Sequence, residues 1–198
     1  MEIKVSKEGM EFEKELNELD LLVLDFTKVL EEIGIRYVVV SGYVPILFGR
    51  SRSSEDIDVI VKRMDKSEFH KLWEKLKEFE CIITEDMNDA YENYLMEGHS
   101  IRFSRKNEFI PNIEIKFPKT ELDIWTLQER IRVVLNRKVL YISPIELQIP
   151  YKLFLGSEKD IEDARYLYNI FKEYIDTELF REFLKKLKKE EDYERYLR

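Results

Sequence analysis

The sequence predicts an α+β fold, a small mixed β-sheet flanked by helices and followed by a mainly helical region. Three observations predict it. Short β-branched runs alternate with helical patterns in the front of the chain, and amphipathic periodicity dominates the back. No tandem repeat, low-complexity tract or flexible Gly/Ser linker interrupts the 198 residues. A boundary near Lys119 divides this pattern into a mixed 1–118 core and a mainly helical 119–198 region that completes the cleft.

The elements follow in order. From Glu8 to Ile33 the apolar positions Phe12, Leu16, Leu19, Leu22, Phe26, Val29, Leu30 and Ile33 recur at three- and four-residue steps. That spacing predicts one or two amphipathic helices, stopped by Gly34. Tyr37 to Val40 reads as a strand ending at Ser41-Gly42, and Val44 to Phe48 as a short helix closed by Gly49. Arg50 to Glu55 has loop composition. Ile57, Val59 and Val61 then alternate with Asp56, Asp58 and Ile60, so the two aspartates share one face of a strand. Ser67 to Phe79 reads as a helix with Trp73 in the core. Ile101 to Ser104 and Asn112 to Phe117 read as strands, the second directing Glu114 away from Ile113 and Ile115. Trp125 to Val134 is expected as a helix and Val134 to Ser143 as a hairpin about Asn136-Arg137. Ser143-Pro144-Ile145-Glu146 opens a further helix with a capping-box pattern, and Asp160 to Tyr174 and Thr177 to Leu187 are helical.

Composition narrows the function classes. Hydrophobic residues at 44% and charged residues at 37% exclude a disordered polyelectrolyte and a membrane channel. A net charge of -8 and a pI near 5.1 argue against broad electrostatic binding of nucleic acid, leaving local patches such as Lys185-Lys186-Leu187-Lys188-Lys189, where RNA or a partner would touch. Cys81 stands alone and reads as a buried residue, and His70 and His99 lie in unrelated contexts, which argues against a His-rich zinc site or a Ser-His-Asp triad. A charged amino terminus and the lack of a long apolar run predict a cytoplasmic protein without a membrane partner. Only Gln128 and Gln148 represent glutamine in a chain heavy with Lys and Glu, a bias pointing toward a thermophilic source.

One stretch carries chemistry. Val38-Val39-Val40-Ser41-Gly42 is a strand running into a small-residue turn, where glycine permits backbone N–H groups to approach a phosphate at a helix start. Asp56 and Asp58 at i and i+2 put two hard oxygen ligands on one side, an arrangement suited to one or two Mg²⁺ ions bridging the phosphates of a nucleotide. Two such carboxylates repel one another unless a cation or basic group sits beside them.

Ser41-Gly42 with Asp56-Ile57-Asp58 resembles the turn and Asp-x-Asp strand of the DNA polymerase β-like nucleotidyltransferase superfamily. Arg52-Ser53-Ser54-Glu55-Asp56-Ile57-Asp58, with Ser143-Pro144 and the stretch Lys152 to Asp163, is similar to the minimal AbiEii-like nucleotidyltransferases of toxin–antitoxin systems. The resemblance spans roughly residues 20 to 172. It implies transfer of a nucleoside monophosphate from an NTP to a hydroxyl acceptor such as a tRNA 3′ end, a protein or a small molecule, with pyrophosphate leaving. It also implies two Mg²⁺ ions, replaceable by Mn²⁺, and an antitoxin protein as partner. On that basis Asp56, Asp58 and Glu114 are the metal ligands and catalytic carboxylates, Glu114 also accepting the acceptor proton. Ser41, Gly42, Arg52, Ser54, Lys152 and Lys159 are the phosphate-binding residues, supported by Asp160 and Asp163. The chain departs from the family in carrying Ser41 where Gly is usual and Glu114 where Asp is commoner.

Plainer readings compete. Glu114 pairs with Lys116 as an ordinary strand residue, Lys152 snorkels from its helix, and Asp160 and Asp163 serve only as first-turn helix acids. A catalytically silent nucleotide-sensing or partner-binding module of the same fold is the rival functional class.

Overall fold

The structure is a computed structural model describing residues 2–198. In chain order the elements are β1 (Lys4–Ser6), β2 (Gly9–Phe12), α1 (Glu18–Glu32), β3 (Tyr37–Val40), α2 (Tyr43–Leu47), β4 (Asp56–Val61), α3 (Lys66–Lys75), β5 (Phe79–Cys81) and α4 (Met87–Asp89). A π-helical turn over Ala90–Leu95 continues α4. There follow β6 (Ile101–Arg105), β7 (Asn112–Lys116), α5 (Glu121–Gln128), β8 (Ile131–Leu135), β9 (Lys138–Ile142), α6 (Ile145–Leu155), α7 (Glu158–Phe171), α8 (Thr177–Lys186) and α9 (Glu190–Tyr196). The strands form one mixed sheet in the order β1-β2-β8-β9-β3-β4-β7-β6-β5, and the α+β class is as expected.

The site rests on the middle of that sheet. β4 runs antiparallel to β3 and parallel to β7. Its alternation sends Ile57, Val59 and Val61 into the main core with Ile113 and Ile115 of β7, Phe26 and Leu30 of α1, and Phe69 and Leu72 of α3. The opposite face carries only a small apolar cluster of Val38, Ile60 and Leu127, with Val40 against it. Asp56, Asp58 and Glu114 therefore emerge on the thinly covered face.

Several expectations are corrected. Residues 8–17 do not begin a helix: Gly9–Phe12 pairs with β1 and β8, and the helix starts after Asn17, whose side chain closes a capping box with Asp20. Phe12 and Leu16 fit a helical step and a strand alike, and pairing with β8 decides for the strand. The helix expected over 125–134 ends at Gln128, because Ile131–Leu135 joins the sheet beside β2 and β9. Phe79 belongs to β5 rather than α3. No capping box forms at Ser143: Pro144 holds the N-cap place of α6, and the Ser143 hydroxyl turns inward. Strands from both sides of Lys119 share one sheet, β8 and β9 entering it between β2 and β3. Beyond Ile142 the chain is helical. Among the described residues no helix is long and apolar enough to cross a membrane.

Candidate active site

Strand register assembles the centre. Asp58 pairs across β3 with Val40, the residue before the Ser41-Gly42 turn, and across β7 with Glu114. A one-residue slip on either side would send one of these groups to the opposite face. Burial raises the Asp58 pKa above the ordinary carboxylate range, and the charges of Asp56 and Glu114 push the same way; a Ser41 hydrogen bond and Lys116 pull against them. Ser54 ties down the neighbouring aspartate, its Oγ donating to the Asp56 carbonyl at 3.1 Å.

The turn differs from expectation. Gly42 has an ordinary φ of -69°, and Ser41 takes the left-handed conformation at φ 62°. That placement costs about 1 kcal/mol or more for a non-glycine residue and needs support. Gln148, buried on α6, supplies it by donating from Nε2 to the Ser41 carbonyl at 2.8 Å. Ser143 Oγ donates in turn to Gln148 Oε1 at 2.6 Å, fixing the amide. Gly42 is needed for space instead: a Cβ there would lie 2.6 Å from Arg52 Nη2. Because Arg52 is itself pinned, Gly42→Ala is expected to lower stability by about 1–3 kcal/mol, an overpacking cost. Urea unfolding checks this, and the cost should vanish when Arg52→Ala is already present. With α2 only five residues long, a helix dipole contributes little at this turn.

Arg52 and Lys152, expected to meet phosphate, and Asp160 and Asp163, expected to support them, form a buried ion-pair knot. Asp163, fully buried on α7, receives Arg52 Nη1 at 2.6 Å, Lys152 Nζ at 3.0 Å and Arg50 Nη1. Lys152 also reaches Asp160 at 2.6 Å, and Arg50 reaches Glu162 at 2.6 Å. Lys152 is thus no free phosphate ligand: a lysine buried this deeply needs carboxylate partners, and it has two. Burial lowers its pKa, with Asp160 resisting. Burial would raise Asp160, but hydrogen bonds from Lys152 and Ser157 outweigh it and hold the carboxyl low. Burial and the adjacent Arg50 lower the Arg52 pKa, and its buried Nε–H has no partner. The Lys159 side chain stands exposed on α7 outside the cleft, and its carbonyl accepts from Arg50.

A cleft of about 540 Å³ opens over the centre. Ser41, Asp58, Ser143 and Gln148 line it together with Lys116 and Lys119, and α6 adds Tyr151, Phe154 and Leu155. Asp56 and Glu114 lie beside this lining rather than within it. Glu114 Oε2 accepts from Arg102 Nε at 2.8 Å across the β6–β7 pair, which raises the Arg102 pKa. Sequence reasoning missed Gln148, Lys116, Lys119, Arg50 and Arg102 as parts of the site. Gln148 alone left a signal, an amide in the apolar run Leu147–Ile149 where a buried polar group needs a defined partner.

The donor set suits a hard divalent cation. The charges of Asp56 and Glu114 act on Asp58, and its raised pKa marks a place where positive charge would be welcome. Among the described residues no three His, Cys, Asp or Glu side chains converge closely enough to hold a metal unaided. Mg²⁺ does not require three, since it commonly binds one or two carboxylates and completes its shell with water and substrate phosphates.

No protein-family model and no curated protein matches the chain. Among solved structures, an antigenic nucleotidyltransferase-like protein from Paracoccidioides brasiliensis is similar with a TM-score of 0.56 and 18% identity, over 91% of this chain and 92% of that one. The two chains share a fold. JHP933 from Helicobacter pylori has a TM-score of 0.47 at 17% identity, over 90% of this chain and 80% of that one. Lincosamide antibiotic adenylyltransferase LnuA, bound to lincomycin, has a TM-score of 0.47 at 14% identity, over 79% of this chain and 99% of that one.

Proposed function

We propose that the chain is a Mg²⁺-dependent nucleotidyltransferase, a minimal AbiEii-like form, moving a nucleoside monophosphate from an NTP to a hydroxyl acceptor. The observation that carries this reading is the β3-β4-β7 register, which sets Asp58 between the Ser41-Gly42 turn and Glu114 at the floor of an open cleft. Asp56 and Asp58 would hold one or two Mg²⁺ ions, with Mn²⁺ as a substitute. The bound cation supplies charge neutralisation and orientation of the phosphate oxygens. Lys116 and Lys119, which face the cleft, hold the polyphosphate as point charges in place of the buried Lys152. Arg52 stiffens the turn from behind, and Gln148 keeps the Ser41 carbonyl turned away from the phosphates. Glu114, released from Arg102, accepts the acceptor's proton. A tRNA 3′ end, a protein hydroxyl or a small molecule is the acceptor, and an antitoxin is the protein partner of a toxin role.

One observation favours the rival, a silent nucleotide-binding module: the third carboxylate is engaged by Arg102. Incubation with each α-labelled NTP, Mg²⁺ and total tRNA, total protein or a small-metabolite extract separates them. Label is expected on one acceptor pool, with pyrophosphate released in equal amount. Mg²⁺-dependent NTP binding with no transfer to any pool would assign the silent module instead.

A further inference from the structure

Helix α6 is apolar on two sides. Ile145, Ile149 and Leu153 enter the main core, while Leu147, Tyr151, Phe154 and Leu155 face the cleft. A helix apolar all round is normally enclosed. This one leaves Tyr151 38%, Phe154 50% and Leu155 46% exposed. The two rings are neighbours, with centroids 5.8 Å apart and planes tilted by 33°, and both line the cleft. Below them the same helix face reaches Gln148 and the Ser41 turn.

The cleft is thus chemically divided. Asp58, Ser41, Lys116 and Lys119 in its lining suit a cation and a polyanion; the α6 side offers Leu147, Tyr151, Phe154 and Leu155, an apolar surface, while Thr120, Asp123 and Thr126 add polar groups elsewhere. A ligand matching both has a charged tail and a planar uncharged head.

We propose that Tyr151 and Phe154 are the stacking platform for the base of the bound nucleoside triphosphate, an inference that rests on the nucleotidyl-transfer reading. The platform meets the π-face of the ring and not its hydrogen-bonding edge, so it accepts every base and holds the larger purines more tightly than pyrimidines.

The test is titration calorimetry of the full chain in Mg²⁺ with ATP, CTP and inorganic tripolyphosphate. Tyr151→Leu/Phe154→Leu is expected to weaken ATP binding by about 10- to 100-fold, the loss of base–aromatic stacking, and to leave tripolyphosphate binding unchanged. Tyr151→Phe, which keeps the ring, retains ATP affinity, and wild type binds ATP more tightly than CTP. Both leucine replacements are at exposed positions, so the urea midpoint should stay at the wild-type value. Unchanged ATP affinity in the double variant overturns the platform, as does an equal loss for ATP and tripolyphosphate. Wild-type binding of tripolyphosphate and ATP with equal affinity overturns the platform alone. Binding of neither overturns the nucleotidyl-transfer reading together with it.

Discussion

Asp58→Asn is expected to lower the rate of label transfer by about three orders of magnitude, and Asp56→Asn by a similar factor. Charge stabilisation by a bound cation contributes several kcal/mol at the transition state, and each 1.4 kcal/mol is a factor of ten. Asparagine keeps the shape of the side chain but removes the anionic oxygen, so the loss reads charge and not packing. The same variant should be more stable than wild type at pH 7 without metal. The folded pKa of Asp58 is raised, so the fold favours the protonated carboxyl. The group's contribution to stability is greatest below the ordinary aspartate range and is lost as pH rises through the raised value. Ionised Asp58 therefore opposes folding at neutral pH, and the advantage of Asp58→Asn shrinks as pH falls. Adding Mg²⁺ should raise the melting temperature of wild type and not of the variant. Transfer by Asp58→Asn at more than a tenth of the wild-type rate would exclude the carboxylate role, whatever the stability data show.

The largest stability effect is expected at Asp163. It is fully buried and meets Arg50, Arg52 and Lys152, whose side chains are themselves only 12%, 10% and 3% exposed. Asp163→Ala leaves three cations sharing Asp160 and the exposed Glu162. Breaking a buried pair by removing one partner costs about 3–5 kcal/mol, and for a chain of this size that is a fall in melting temperature of about 10 °C or more. Glu162→Gln, at the exposed rim of the same knot, should cost about 0–1 kcal/mol. Near-equal effects at the two positions would mean that the knot is not what joins α7 to the loop before β4. Because Arg52 also abuts Gly42, Asp163 supports the turn at one remove, and its loss should weaken nucleotide binding even in a chain that still folds.

Much of the centre was legible from spacing. Asp56-Ile57-Asp58 within an apolar alternation gives two carboxylates on one face whatever strands flank them, and Asn112–Phe117 gives Glu114 the same treatment. The roles of Lys152, Lys159, Asp160 and Asp163 were harder to read. As a sequence motif they suggest phosphate cations and helpers, and the fold makes Lys152 and the two acids a packing unit because burial demands neutrality. Gly42 shows the same gap: its presence is explained by a guanidinium ten residues later, and the unusual backbone falls on Ser41.

The sequence by itself determined the side-chain alternation of each central strand, the turn after β3 and the amphipathic helices, since these depend on periods of two and of 3.6 residues within a few neighbours. Tertiary structure alone decided that Asp58 and Glu114 stand side by side, that β8 is a strand, that Gln148 grips Ser41 107 residues away, and that α6 turns aromatic rings to an open cleft. Strand register and the pairing of buried charges are settled by competition among distant segments for the same hydrogen bonds and the same dry space, and no local pattern encodes the winner.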